Sequence, residues 1–351
     1  MSRSGKQTAT SLAPVSWCLV SAVLFGASTP ASKLLLGSTS PLLLSGVLYL
    51  GAAAATAPSA LRGLGQLRRV DRRNGFYLLG AVLCGGVIGP VLLLIGLSLA
   101  PAGSVSLWLN LEGVATALLA RAFFKEHLHA STWLAIALIV IASALLSPAA
   151  PQGGVAVVWV ALACLAWGVD NNLTAVIDRF TPAEIAFTKG IVAGALNTSL
   201  GIALADDQIA AETLAFGLLV GAFSYGVSLM LYVAAAQQLG ATRSQLLFST
   251  APAFGLVLSW LALAEAMSGR QWAAAALMAF AIWVWHRERH EHEHAHDAVV
   301  HTHWHRHDDG HHDHEHDGNG TVRGWHSHEH AHQSERHDHS HRPDLHHRHG
   351  H

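Results

Sequence analysis

Trp167-Gly168-Val169-Asp170-Asn171-Asn172-Leu173-Thr174 sets a carboxylate and two amides inside an apolar run from Val155 to Ile177. That run is long enough to cross a bilayer as a helix. A charge at the middle of such a helix costs roughly 2.5–3.5 kcal/mol on insertion scales. A chain that keeps one there needs a partner or an aqueous cavity for it, and the expectation is that the rest of the protein builds that cavity.

Working outward, nine further apolar runs surround this one: Pro14–Leu36, Leu42–Ala57, Gly75–Leu97, Ser104–Phe124, Thr132–Leu146, Ile185–Ala205, Leu214–Ala236, Leu246–Ala264 and Gln271–Trp285. Hydrocarbon tolerates no unpaired backbone, so spanning segments are helices or strands of closed barrels. These runs lack the period-two alternation of barrel strands, which makes them helices. The second, fifth and tenth are short, and tilt or local thinning accommodates that. The joints Ser98–Gly103, Ser147–Gly154 and Asp178–Ala183 are brief and rich in Pro, Gly and Ser. The fold class expected is an all-α membrane protein of about ten transmembrane helices.

Composition divides the 351 residues unequally, although 51% are hydrophobic and only 13% charged overall. Of the 26 histidines, 24 lie between His286 and His351, a stretch with almost no aliphatic content. The formal charge of −2 therefore sums two unlike parts. Cys18, Cys84 and Cys164 lie in apolar runs without zinc-ligand spacing and read as buried reduced thiols. The first run is too long for a signal h-region and lacks a cleavage site, so no cleaved leader is expected. With the N-terminus inside, the inner segments carry eleven Lys and Arg and the outer segments only Lys33 and Arg270. That asymmetry places both termini in the cytoplasm of a cell that keeps this chain in its inner membrane.

The chain also repeats itself. Phe124-Lys125-Glu126 matches Leu263-Ala264-Glu265 at an offset of 139, as do Trp133 with Trp272 and Ala102 with Ala241. Gly80 and Gly85 map to Gly221 and Gly226 at 141, and Phe25-Gly26 to Trp167-Gly168 at 142. Five helices per half is an odd number, so the halves insert with opposite orientations. Carriers built that way bind substrate where the inverted repeats meet. The expected division is a short lead (1–13), one five-helix repeat (14–148), a second (155–286) and a His-rich tail (287–351).

Two stretches carry a resemblance. Leu111-Glu112-Gly113-Val114-Ala115-Thr116 through Lys125-Glu126, and Ala251-Pro252-Ala253-Phe254-Gly255 through Ala264-Glu265, each look like an apolar helix closed by Glu and followed by another helix. With Leu24-Phe25-Gly26-Ala27-Ser28-Thr29-Pro30, they resemble the EamA family of the drug/metabolite transporter superfamily. The resemblance covers residues 14–286 and implies a ten-helix transporter with cytoplasmic termini. Members of that family often carry a basic residue in the second helix. Here Ser45-Gly46-Val47-Leu48 stands there, and the seventh helix keeps Lys189 at the equivalent place.

The intramembrane polar residues supply the candidate site. Glu112 and Asp170 are read as proton or cation sites, Asn171 and Asn172 as groups that orient substrate, and Lys189 as a counter-ion or anion contact. The alternative is an ion pair of Lys189 with Asp170 or Glu112 that only locks helices. Asn197 reads as a helix–helix hydrogen bond, and Glu126 and Glu265 as capping or packing groups at run ends. Gly26, Pro30, Gly85, Gly86, Gly89 and Pro90 read equally as breaks that free backbone carbonyls or as small residues for close packing. No phosphate loop, nucleophile elbow or HExxH is present, so no enzyme is expected.

The tail alternates imidazole with carboxylate. Its candidate ligands for Zn, Ni or Co are His290, His292, His294, His296, His301, His303, His305, His307, His311, His312, His314, His316, His326, His328, His330 and His332. With so little apolar content it is expected to be disordered without metal. The partners expected are the lipid bilayer and a small-molecule or ion substrate. A homodimer is compatible with the chain, nucleic acid is not, and no cofactor is required. Three accounts stay open: a metabolite carrier with a metal- or pH-sensing tail, a divalent-metal transporter whose tail buffers the ion, and a non-transporting scaffold.

Overall fold

The computed structural model describes residues 12–62, 71–124, 128, 130–146, 153–177, 180–205, 209–239, 244 and 247–286, with the backbone alone of 290–296, 300–305, 326–331 and 335–341. Among the described residues the ten expected runs are helical. Span 1 is α1 (Leu12–Gly26) and α2 (Ser28–Leu35), and span 2 is α3 (Pro41–Ala60). Span 3 joins α4 (Arg72–Ala81), a π-helical segment Val82–Ile88 and α5 (Gly89–Leu99). Span 4 is α6 (Ala102–Trp108) with α7 (Leu111–Phe124), and span 5 is α8 (Ala130–Leu146). The second half runs through α9 (Gly153–Ala175) and α10 (Pro182–Ala205) as spans 6 and 7. Span 8 joins α11 (Ala211–Val220), a π-helical segment Gly221–Val227 and α12 (Ser228–Leu239). Spans 9 and 10 end the bundle as α13 (Ala251–Leu263) and α14 (Gly269–His286). Among the described residues, seven of these spans are long and apolar enough to cross a membrane, and spans 5 and 9 are shorter apolar helices.

Local chemistry sets the helix limits, and it does so twice over. Ser40 accepts from the Leu43 amide at 3.3 Å to open span 2, and Thr181 with Glu184 forms a reciprocal capping box to open span 7. Ser40 and Thr181 are corresponding positions of the repeat. Span 4, expected as one run, breaks at Leu109–Asn110, because the Asn110 side chain donates to the Leu107 carbonyl at 2.9 Å. Span 9 breaks at the corresponding place, Ser249–Thr250, with helix on either side, and there the Thr250 hydroxyl donates to the Leu247 carbonyl at 2.6 Å. The π-helical segments of spans 3 and 8 also correspond, at an offset of 139, two fewer than the 141 at which the glycines of this region match in the sequence.

The close approaches establish how the halves meet. Along the seam of spans 2 and 7, Gly190 faces Ala53, Gly194 faces Leu50, Gly46 faces Thr198 and Gly201 faces Leu43. Numbers rise on one helix as they fall on the other, so these counterpart spans are antiparallel. Spans 4 and 9 behave alike, with Gly255 on Ser106 and Gly103 on Ser259. Contacts are reciprocal as well: span 3 packs on span 6 and span 1 on span 8, span 4 on span 6 and span 1 on span 9, while span 5 packs on span 10. Two halves related in this way form an inverted repeat about an axis in the membrane plane. Small residues let the backbones touch, which supplies dispersion where lipid offers no hydrophobic drive. Trp108 fills the break in span 4, fully buried, and its indole N–H donates to the Ser143 carbonyl at 3.1 Å.

In the tail the backbone pairs into two antiparallel ribbons. One joins β1 (His290–His296) to β4 (Glu335–His341), and the other joins β2 (Val300–His305) to β3 (His326–Ala331). Alternation of His with other residues has the period of a strand, which is the physical basis for that pairing. His307, His311, His312, His314, His316 and His332 lie outside the described residues.

A Cβ at Gly221 would collide with the Leu48 carbonyl across spans 2 and 8. Gly221→Val is therefore expected to destabilise the bundle by at least about 1–3 kcal/mol, read as a lower Tm in detergent. A Gly269→Ala control, where an added Cβ meets nothing within 4 Å, leaves Tm unchanged.

Candidate functional site

Pro90 is where the site begins. It has no N–H to offer the carbonyls four and five residues before it. The Gly85 carbonyl, released in the π-helical segment, accepts instead from the Tyr49 hydroxyl at 2.6 Å and from the Trp167 indole at 3.0 Å. π-Segments of this kind are frequent at functional sites. Two residues on, the Val87 carbonyl accepts from Asn197 at 3.2 Å, and Asn197 also donates to Ser45 at 3.1 Å. Spans 2, 3, 6 and 7 are thus tied together around one stretch of opened backbone.

Asp170 of span 6 lies against that stretch. Its Oδ2 occupies the space a side chain at Gly85 would need, so only glycine fits there. Its Oδ1 receives the Lys189 ammonium of span 7 and the Thr174 hydroxyl, the latter at 3.0 Å. Lys189 reaches Thr174 as well, at 3.4 Å. Asp170 is only 6% exposed, so its charge is met by a cation and a hydroxyl rather than by water.

The next residue faces elsewhere, because successive helical positions turn by about 100°. Asn171 donates to Glu112 at 2.9 Å and to the Thr116 hydroxyl at 3.2 Å, both on span 4. Glu112 opens α7 just past the break at Asn110. Asn172 is buried and donates to the Thr116 carbonyl at 3.1 Å and the Gly168 carbonyl at 2.8 Å, which makes it a tie between spans 4 and 6. The five sequence-derived candidates therefore fall into two adjoining groups, Asp170 with Lys189 and Glu112 with Asn171, and a packing contact at Asn172. Asp170 takes the cation, while the bond to Glu112 comes from a neutral amide on a position exposed in the isolated chain.

Sequence reasoning missed Tyr49, Trp167, Thr116 and Thr174. An aromatic row also escaped it: Tyr49 and Tyr225 at 6.0 Å, Tyr225 and Phe25 at 5.9 Å, Phe25 and Phe248 at 5.3 Å, Phe248 and Tyr232 at 4.9 Å. Tyr225 belongs to the π-helical segment of span 8, so both π-segments converge on Tyr49. Aromatic residues in apolar helices give no signal of their own, since most are simply buried.

Apolar spans in two inverted halves, with paired charges where opened backbone lies between them, define a multi-pass membrane transporter. The profile of the EamA-like transporter family matches residues 12–147 and again 154–285, and the chain belongs to that family. An uncharacterized transporter of Methanothermobacter thermautotrophicus is 27% identical over 277 residues, covering 71% of this chain and 79% of that protein. A solved crystal structure shares the fold at a TM-score of 0.56 and 19% identity, covering 77% of this chain and 96% of its own.

Removing one partner of a buried ion pair leaves the other charge uncompensated, at about 3–5 kcal/mol. Lys189→Met is expected to lower Tm in detergent markedly, and adding Asp170→Asn to recover most of the loss. A purely additive double variant would show that the two side chains do not act as a pair.

Proposed function

We propose that this chain is a secondary carrier of a small organic metabolite across the cell (inner) membrane, with both termini cytoplasmic. In this reading Glu112 takes up the proton or cation that drives the step, and Asp170 and Lys189 exchange their mutual contact for the substrate. The observation that carries it is the division of labour on span 6: Asp170 is neutralised by Lys189, whereas its neighbour Asn171 presents a neutral donor to Glu112. A carboxylate without a fixed cation is the one free to gain and lose a proton. Tyr49 and Tyr225 offer ring faces and a hydroxyl beside the pair.

A second reading, transport of Zn, Ni or Co, draws on the tail. Its backbone register sets His292 opposite His339, His294 opposite His337 and His303 opposite His328. Imidazole is a good ligand for Zn, Ni and Co, so a ribbon whose backbone register pairs His with His supplies the residue type that such ions take. Within the spans, by contrast, no three His, Cys, Asp or Glu side chains come together among the described residues. That favours metal held at the tail, as a store or sensor, and an organic solute in the membrane.

The test is flux in proteoliposomes loaded with a pH-sensitive dye, with Ni, Co, Zn and a panel of small metabolites added outside. The expected result is solute-driven proton flux that Glu112→Gln abolishes and that truncation after Arg287 preserves, while truncation removes the bound metal measured by elemental analysis. Metal-driven flux lost on truncation would establish the second reading instead.

A further inference from the structure

At one end of the bundle the turn between spans 3 and 4 is held from both sides. The Lys33 ammonium of span 1 donates to the carbonyls of Leu97 at 2.6 Å and Ala100 at 2.9 Å, which caps the C-terminus of α5. Glu265, from the link after span 9, receives the Ala102 amide on Oε1 at 2.7 Å and the Gly103 amide on Oε2 at 2.9 Å. Charge-assisted bonds of this kind are the strong ones. Gln271 of span 10 adds a bond to Ser104 at 3.3 Å. A carboxylate of the second half therefore grips the first half at the start of span 4.

Two observations indicate that this grip is made to be released. Ala264 ends α13 in the left-handed region, at φ 51° and ψ 30°, and among the described residues it is the one non-glycine with positive φ. That conformation is disfavoured for a residue with a Cβ, and it is what turns Glu265 towards Ala102 and Gly103. Just below, the Ser106 hydroxyl is buried between spans 4 and 9, against Gly255, and lacks a hydrogen-bond partner. A buried hydroxyl without a partner is costly unless another state of the molecule wets it. Below Ser106 the two spans no longer share the grip: α7 packs on span 6 and α8.

We propose that Glu265, with Lys33, is the latch that closes the bundle at this end, and that the transport cycle requires it to open. The end concerned is the one the Lys and Arg distribution places outside. The proposal rests on the chain being a carrier, but not on which solute it carries.

Its test needs no substrate. In the full chain with Cys18, Cys84 and Cys164 replaced by Ala, Ser106→Cys becomes the reporter, labelled by an impermeant maleimide in right-side-out and in inside-out vesicles. Glu265→Gln is expected to raise labelling from the latch face by on the order of tenfold and to lower it from the opposite face. Ala264→Gly, which relieves the left-handed strain of the closed form, is expected to shift both rates several-fold the other way. A Glu265→Gln rate equal to the parent's, or a rise from both faces, would overturn the latch. So would faster latch-face labelling in Ala264→Gly. A failed search for the solute would leave these rates untouched, which keeps the two questions separate.

Discussion

A carboxylate placed in hydrocarbon must be met by something other than water, and Asp170 is met by Lys189. That one contact spans two helices of the second half and presses against opened backbone of the first. Asp170 can approach only because residue 85 is glycine, and the Gly85 carbonyl is available only because Pro90 withholds its N–H. Tyr49 and Trp167 then satisfy that carbonyl from two further spans. Neutralising a single charge thereby fixes the mutual position of spans 2, 3, 6 and 7.

The remaining architecture follows from duplication under the same constraint. Each half offers short side chains where it meets its counterpart, and the antiparallel seam of spans 2 and 7 is the result. Symmetry is kept in the backbone and given up in the chemistry. Both halves carry a π-helical segment and both break their fourth span with a side chain bonded three residues back. Only the second half, however, contributes Asp170 and Lys189, and the first supplies Glu112. An inverted repeat with unlike charges has two ends that are related in shape but not in energy, and a carrier uses such a difference to alternate between states.

Much of this was legible in the residues. The apolar runs, the closing Glu of each half and the offsets of 139 to 142 led to ten spans in two inverted halves, and Asp170, Lys189 and Glu112 stood out because charge is rare in such helices. Asn197 could be assigned to a helix–helix bond because an amide in lipid needs a partner. Less visible were groups with no anomalous chemistry of their own. Tyr49, Trp167, Phe25 and Tyr225 look like ordinary core residues until another span is brought beside them. Lys33 stands in the sequence only as a basic residue near the outer end of the first run, and its three-dimensional neighbours make it a helix cap.

The sequence by itself determined the class of fold, the number of halves and the inventory of buried charge, because hydrophobicity and repetition are written along the chain. It left open whether Lys189 answers Asp170 or Glu112, since both lie within reach of a helix one span away. Only the tertiary structure decided that, by the roughly 100° between Asp170 and Asn171 that turns one towards span 7 and the other towards span 4. It also decided what Glu265 does. A carboxylate at a run end can face water or bond a distant amide, and the left-handed turn at Ala264 settles the choice in favour of Ala102 and Gly103.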